Sequence, residues 1–141
     1  MRVGTAVPAE AWFDAAGAHL TSARTIFASD PASAATLGWL VMHKTAKGII
    51  AAGGLRLENE THGKIVDFLC CVFDELTDLE RGVVRAASTG RNTMSYDDPR
   101  QVNPHAAEQV LALAERLLTA ARSDSKVAPP KRRIPPPPSN A

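Results

Sequence analysis

The chain has 141 residues and a formal net charge of +1. That length gives one domain with a real core, and so balanced a charge excludes a protein that holds polyanions through bulk charge alone; any such contact needs a local patch. Hydrophobic residues reach 45% but aromatics only 5%, so the core is expected from Ala, Leu, Val and Ile, a composition that favours helix.

Pro8 is expected at the first position of a helix reaching about Ser29, with Phe13, Ala16, Leu20, Ala23 and Phe27 on one face. Asp30-Pro31 reads as an N-cap and first-turn proline opening a second helix, which runs to about Ala52 and stops at Gly53-Gly54 in the left-handed conformation. This helix is apolar around most of its circumference; Thr36, His43 and Lys47 form a narrow polar stripe. Such a helix is central in a bundle or buried by a partner chain.

After a loop over residues 55–60, a third helix is expected from Thr61 to about Glu75, with Ile65, Leu69, Val72 and Phe73 apolar. Thr77-Asp78-Leu79-Glu80 has the form of a capping box. The inner face of the fourth helix is then Leu76, Leu79, Val83 and Ala86 or Ala87, with Arg81 and Arg85 one turn apart on the other side. Gly90 weakens this helix by about 1 kcal/mol relative to Ala and marks a bend or a close approach. Residues 97–102 read as a loop. Asn103-Pro104 caps a last helix to about Arg122, with Val110, Leu113, Leu117 and Ala121 facing inward. Every strong signal has a period near 3.6 residues, so the fold class is all-α: a bundle of about five helices over residues 1–123.

From residue 124 the composition changes to Pro129-Pro130, Lys131-Arg132-Arg133 and Pro135 to Pro138, expected as a disordered Pro-rich basic tail over 124–141. Its functional reading is an electrostatic contact with a polyanion or docking of the prolines in a partner groove. Cys70 and Cys71 are adjacent, so on a helix they point about 100° apart and staple nothing; they read as small core residues of a reducing cytoplasm. No zinc spacing, secretion signal or membrane span is expected, and neither a metal nor a cofactor.

The functional stretch is Arg91-Asn92-Thr93-Met94-Ser95-Tyr96, where a fixed cation and a possible proton-transfer group stand within about a turn of helix. Four segments in this order carry a resemblance: "HKTAKGIIAAGGL" from His43, "THGKIVDFL" from Thr61, "VVRAASTGRNTMSYDD" from Val83 and "HAAEQVLALAERLLTAAR" from His105. Over residues 9–122 the chain resembles the HEPN family (higher eukaryotes and prokaryotes nucleotide-binding), small helical domains of many bacterial toxin–antitoxin loci. The resemblance implies a helical bundle that pairs as a two-fold homodimer. In catalytic members it implies an Arg-x4–6-His motif from both protomers that cuts RNA without metal. Carried over, Arg91 matches the Arg, Asn92 its polar neighbour, and Tyr96 stands at the His position.

Tyr has a pKa of about 10 and His about 6.5, so the substitution predicts weak or absent ribonuclease chemistry unless another group moves the proton. His62 is a sequence-distant candidate for that role, against a plain reading as a helix-start residue sharing a backbone contact; His43 is similarly open, and His19 reads as surface. Arg91 has its own structural reading, binding the last carbonyls of its helix while Tyr96 packs its ring.

Three functions are expected in competition. The first is an RNA- or nucleotide-associated module of a toxin–antitoxin or defence system, with Arg85, Arg91, Lys131, Arg132 and Arg133 on phosphate. The second is a metal-independent endoribonuclease using Arg91, Asn92 and Tyr96. The third is a non-catalytic dimerising partner of a cognate antitoxin or a nucleotidyltransferase. RNA or nucleotide contact is favoured over catalysis.

Overall fold

The computed structural model describes residues 7–57, 60–90 and 103–123. Among these residues there are five helices and no strand: α1 (Ala9–Ile26), α2 (Pro31–Ala52), α3 (His62–Val72), α4 (Asp78–Thr89) and α5 (Pro104–Ser123). This is the expected helical bundle.

The helix boundaries follow the local signals, with three adjustments. Pro8 is the N-cap of α1, in extended backbone, not its first residue. The helix ends at Ile26 rather than Ser29, because the Ile26 carbonyl takes the N–H groups of both Ser29 and Asp30 in a tight turn. Asp30 then caps α2 as expected, accepting from the Ser33 N–H at 3.1 Å, with Pro31 in the first turn. At the end of α2 the left-handed residue is Gly54, at φ 64°, and Gly53 stays near the helical region.

α2 is the centre of the bundle, with α1 and α5 against it and α3 and α4 closing the other side. That position accounts for its apolar circumference. Two glycines let its neighbours approach. A Cβ at Gly48 would stand 2.3 Å from the Phe13 ring of α1, and one at Gly38 would stand 2.7 Å from Val110 of α5. Trp39, Met42, Ile49 and Ile50 of α2 pack with Ile65, Phe68 and Leu69 of α3 and Val110, Leu113 and Leu117 of α5 in the main core. Each such large apolar side chain contributes about 1.5–3 kcal/mol when fully buried.

α3 is shorter than its sequence pattern. Thr61 caps it, accepting from the Lys64 N–H at 3.2 Å, but it ends at Val72, not Glu75. Arg81 of α4 turns back and donates to the carbonyls of Cys70 (3.4 Å), Asp74 (3.1 Å) and Leu76 (3.2 Å), partnering carbonyls at and beyond the end of α3. Arg81 is therefore part of the α3–α4 junction and not of an outer face.

The Thr77–Glu80 capping box that opens α4 is formed in both directions. Its inner face is rotated from the expected one. Val84 and Ala87 are buried, while Leu79 is 71% exposed. Glu80 takes the position facing α5, where it pairs with Arg116, and this turns Leu79 outward. α4 ends at Thr89, with Gly90 at φ 73° donating back to Ala86 and Ala87. Gly90 is thus a helix stop, as its freedom from a Cβ penalty allows. At the start of α5, Asn103 Oδ1 accepts from the N–H groups of His105 and Ala106. Val110, Leu113, Leu117 and Ala121 face inward as expected.

Candidate functional site

Arg91, Asn92 and Tyr96 lie outside the described residues, as do Asp97, Asp98 and the tail residues Lys131, Arg132 and Arg133. Arg85 is exposed on α4, one turn before Ser88. The described chain nevertheless gathers three rings at the junction of α2, α3 and α4.

Trp39 and His43 are one turn apart on α2, so their rings share a face and lie 5.9 Å apart. His62, the first residue of α3, meets the Trp39 ring edge-on at 5.2 Å and stands 6.1 Å from the His43 ring. Trp39 is only 5% exposed and forms the floor; His43 is half-buried and His62 exposed. His62 Nδ1 lies 3.1 Å from the Ser88 carbonyl oxygen. A carbonyl only accepts, so Nδ1 carries the hydrogen and Nε2 is the nitrogen left for other partners. His62 thus shares the backbone contact of its plain reading, and it sits where α3 approaches α4.

Cations surround the rings. Burial pushes the His43 imidazole below its ordinary pKa, and repulsion from His62, Lys47 and Lys44 adds to this while Glu60 opposes it. Lys47 is paired with Glu60 at 2.7 Å. Lys44 and Lys47 also lie over the Trp12 ring, at 5.6 and 5.2 Å from its centroid. At neutral pH the arrangement offers one neutral imidazole, one exposed imidazole with a free nitrogen, and nearby ammonium groups. It is suited to hydrogen-bonding an anion and to exchanging a proton with it.

Among the described residues no group of three or more His, Cys, Asp or Glu is arranged to hold a metal ion, and no helix is long and apolar enough to cross a membrane. Cys70 and Cys71 are free and half-buried. Burial pushes the Cys70 thiol up, with Arg81 and Arg85 pulling the other way, which disfavours the reactive thiolate. His105 sits in the first turn of α5, its backbone N–H taken by Asn103.

Trp39, Lys44 and Glu60 are the members of this site that the motif reading missed. The stripe expected on α2 was Thr36, His43 and Lys47; Trp39 stands four residues before His43, a spacing that could have placed it on the same face, whereas the junction with His62 is tertiary. Compared with known proteins, the chain matches no family model, and no curated protein matches it either.

Proposed function

We propose that this chain is an RNA- or nucleotide-associated helical module of HEPN type, acting as a homodimer in the cytoplasm, for which contact with phosphate outweighs catalysis. The observation that carries the reading is the His43–His62 pair on its Trp39 floor, with Lys44 and Lys47 around it. The pair lies beside the last turn of α4, the helix that leads through Gly90 to Arg91. Imidazole and ammonium donors there suit a phosphate, and the reading assigns Arg85 and, by the resemblance, Arg91 as guanidinium donors to it. Tyr96 is too weak a base near neutrality to drive efficient cleavage. The toxin–antitoxin or defence setting rests on the resemblance in motif order alone.

The test is fluorescence anisotropy with a single-stranded RNA oligonucleotide and with ATP, over a salt series in EDTA, for wild type, Arg91→Ala and His62→Ala. Affinity is expected to fall with salt and to drop about tenfold, or about 1.4 kcal/mol, in each variant. No affinity in wild type at low salt sinks the reading. RNA cleavage by wild type that Arg91→Ala abolishes replaces it with the metal-independent endoribonuclease.

A further inference from the structure

Among the described Phe and Trp side chains, Trp12 alone joins neither hydrophobic cluster. Its chain neighbour Phe13 is buried at 4% exposure, whereas Trp12 is half-buried. A side chain of that size contributes most when its whole surface is covered, so an indole left half-open serves the core poorly.

Two cations stand by the ring. Lys44 and Lys47, three residues apart on one face of α2, lie 5.6 and 5.2 Å from its centroid. Both distances exceed the van der Waals contact of about 3.5–4.0 Å, so neither ammonium is seated on the ring. Glu60 pairs with Lys47; no carboxylate among the described residues pairs with Lys44. The same two ammonium groups bear on His43. Shared cations therefore join Trp12 of α1 to the histidine pair.

We propose that Trp12 is the stacking platform for an unpaired nucleobase whose phosphate is held by Lys44 beside His43. The inference rests on the phosphate reading of that site and adds the base to it. The ligand is a nucleotide unit, free or within single-stranded RNA, and not a bare phosphate.

The chemistry is an exchange of partners. An ammonium beside an exposed indole gains only a weak attraction. A nucleotide offers each of the two groups a stronger partner: its base takes the π-face, and its phosphate takes the ammonium in a charge-assisted hydrogen bond. Every base has a π-face, so Trp12 favours unpaired bases and discriminates little among them.

The experiment is isothermal titration calorimetry in EDTA with ATP, inorganic tripolyphosphate and single-stranded oligoadenylate. Tripolyphosphate carries the phosphate chain of ATP without the base. Wild type is expected to bind ATP about tenfold more tightly than tripolyphosphate, or about 1.4 kcal/mol. Trp12→Leu, which keeps apolar bulk without a π-face, is expected to abolish that difference, and Trp12→Phe to keep most of it. In Trp39→Phe, which leaves Trp12 as the sole tryptophan, ATP and not tripolyphosphate is expected to quench the indole fluorescence. That readout needs no change at position 12. Equal binding of ATP and tripolyphosphate, or an indole signal that both quench alike, overturns the proposal and leaves the phosphate reading standing. Binding of none of the three overturns both. Where the base preference holds, oligoadenylate bound more tightly than ATP assigns the platform to RNA, and no gain assigns it to a mononucleotide.

Discussion

His62 Nδ1 and the Ser88 carbonyl oxygen lie 3.1 Å apart across 26 residues of chain, tying the first residue of α3 to the last turn of α4. The carbonyl is one of those a helix leaves without an internal partner at its C-terminus, and a ring N–H from a neighbouring helix supplies the missing donor. The same contact fixes the His62 ring over Trp39 and beside His43. A group that caps one helix thereby also shapes the candidate site.

His43 gives the fold a pH dependence with a defined sign. Its folded pKa lies below the ordinary value, through burial first and then the charges of His62, Lys47 and Lys44, with Glu60 opposing. Between the two values the unfolded chain binds more protons, so the stability His43 contributes is fully present above about pH 6.5 and is lost as the pH falls toward the lower folded pKa. Urea midpoints measured from about pH 7.5 down to about pH 5 are expected to decline, and His43→Gln to flatten that decline. An equal slope in the variant would remove His43 as its source.

Thr45 is fully buried in α2, and its hydroxyl has no hydrogen-bond partner among the described residues. An unpaired buried hydroxyl costs about 1–3 kcal/mol, and Val keeps the shape without it. Thr45→Val is expected to stabilise the chain by about 1 kcal/mol in urea unfolding. A loss of stability would reveal a partner for the hydroxyl.

Gly48→Ala sets helix propensity against packing. Ala improves the helix by about 1 kcal/mol. Its Cβ, however, would enter the Phe13 ring, itself buried at 4% exposure, and overpacking of this kind costs about 1–3 kcal/mol. The expected outcome is a lower melting temperature, by up to about 2 kcal/mol in stability. A higher one would mean that the ring yields without strain.

Arg81 closes the end of α3 through three carbonyls. Arg81→Met is expected to cost about 2 kcal/mol, since hydrogen bonds to charged groups are worth about 1.5–3 kcal/mol. Arg81→Lys should restore little, because one ammonium lacks the planar fork that spans the acceptors. Chemical denaturation of the three proteins gives the comparison; full recovery by Lys would reduce the interaction to simple charge.

Helix starts were readable because their signals are local. Asp30-Pro31, Thr77 with Glu80 and Asn103-Pro104 each act within four residues, and each caps as expected. Three features escaped because their causes are distant in sequence. The turn after Val72 is partnered by an arginine on α4. Leu79 turns outward because Glu80 faces Arg116 of α5. His62 joins His43 and Trp39 only when α3 is laid against α2. The Arg91–Tyr96 motif lies outside the described residues, and the ring cluster beside the end of α4 has no local motif to announce it.

α4 is joined to the rest of the bundle in an uneven way. Its fully buried side chains are Val84 and Ala87; much of its attachment is polar, through Arg81, Glu80 with Arg116, and Ser88 with His62. Polar latches release with little exposure of apolar surface, so α4 can open as a unit well below the free energy of global unfolding. A ligand that bridged His62 on α3 and Arg85 on α4 would bind the closed form better than the open one and add that difference in binding free energy to the latch. Occupancy of the ring site would then be registered along the whole of α4, as slower opening of a helix most of whose residues the ligand never touches.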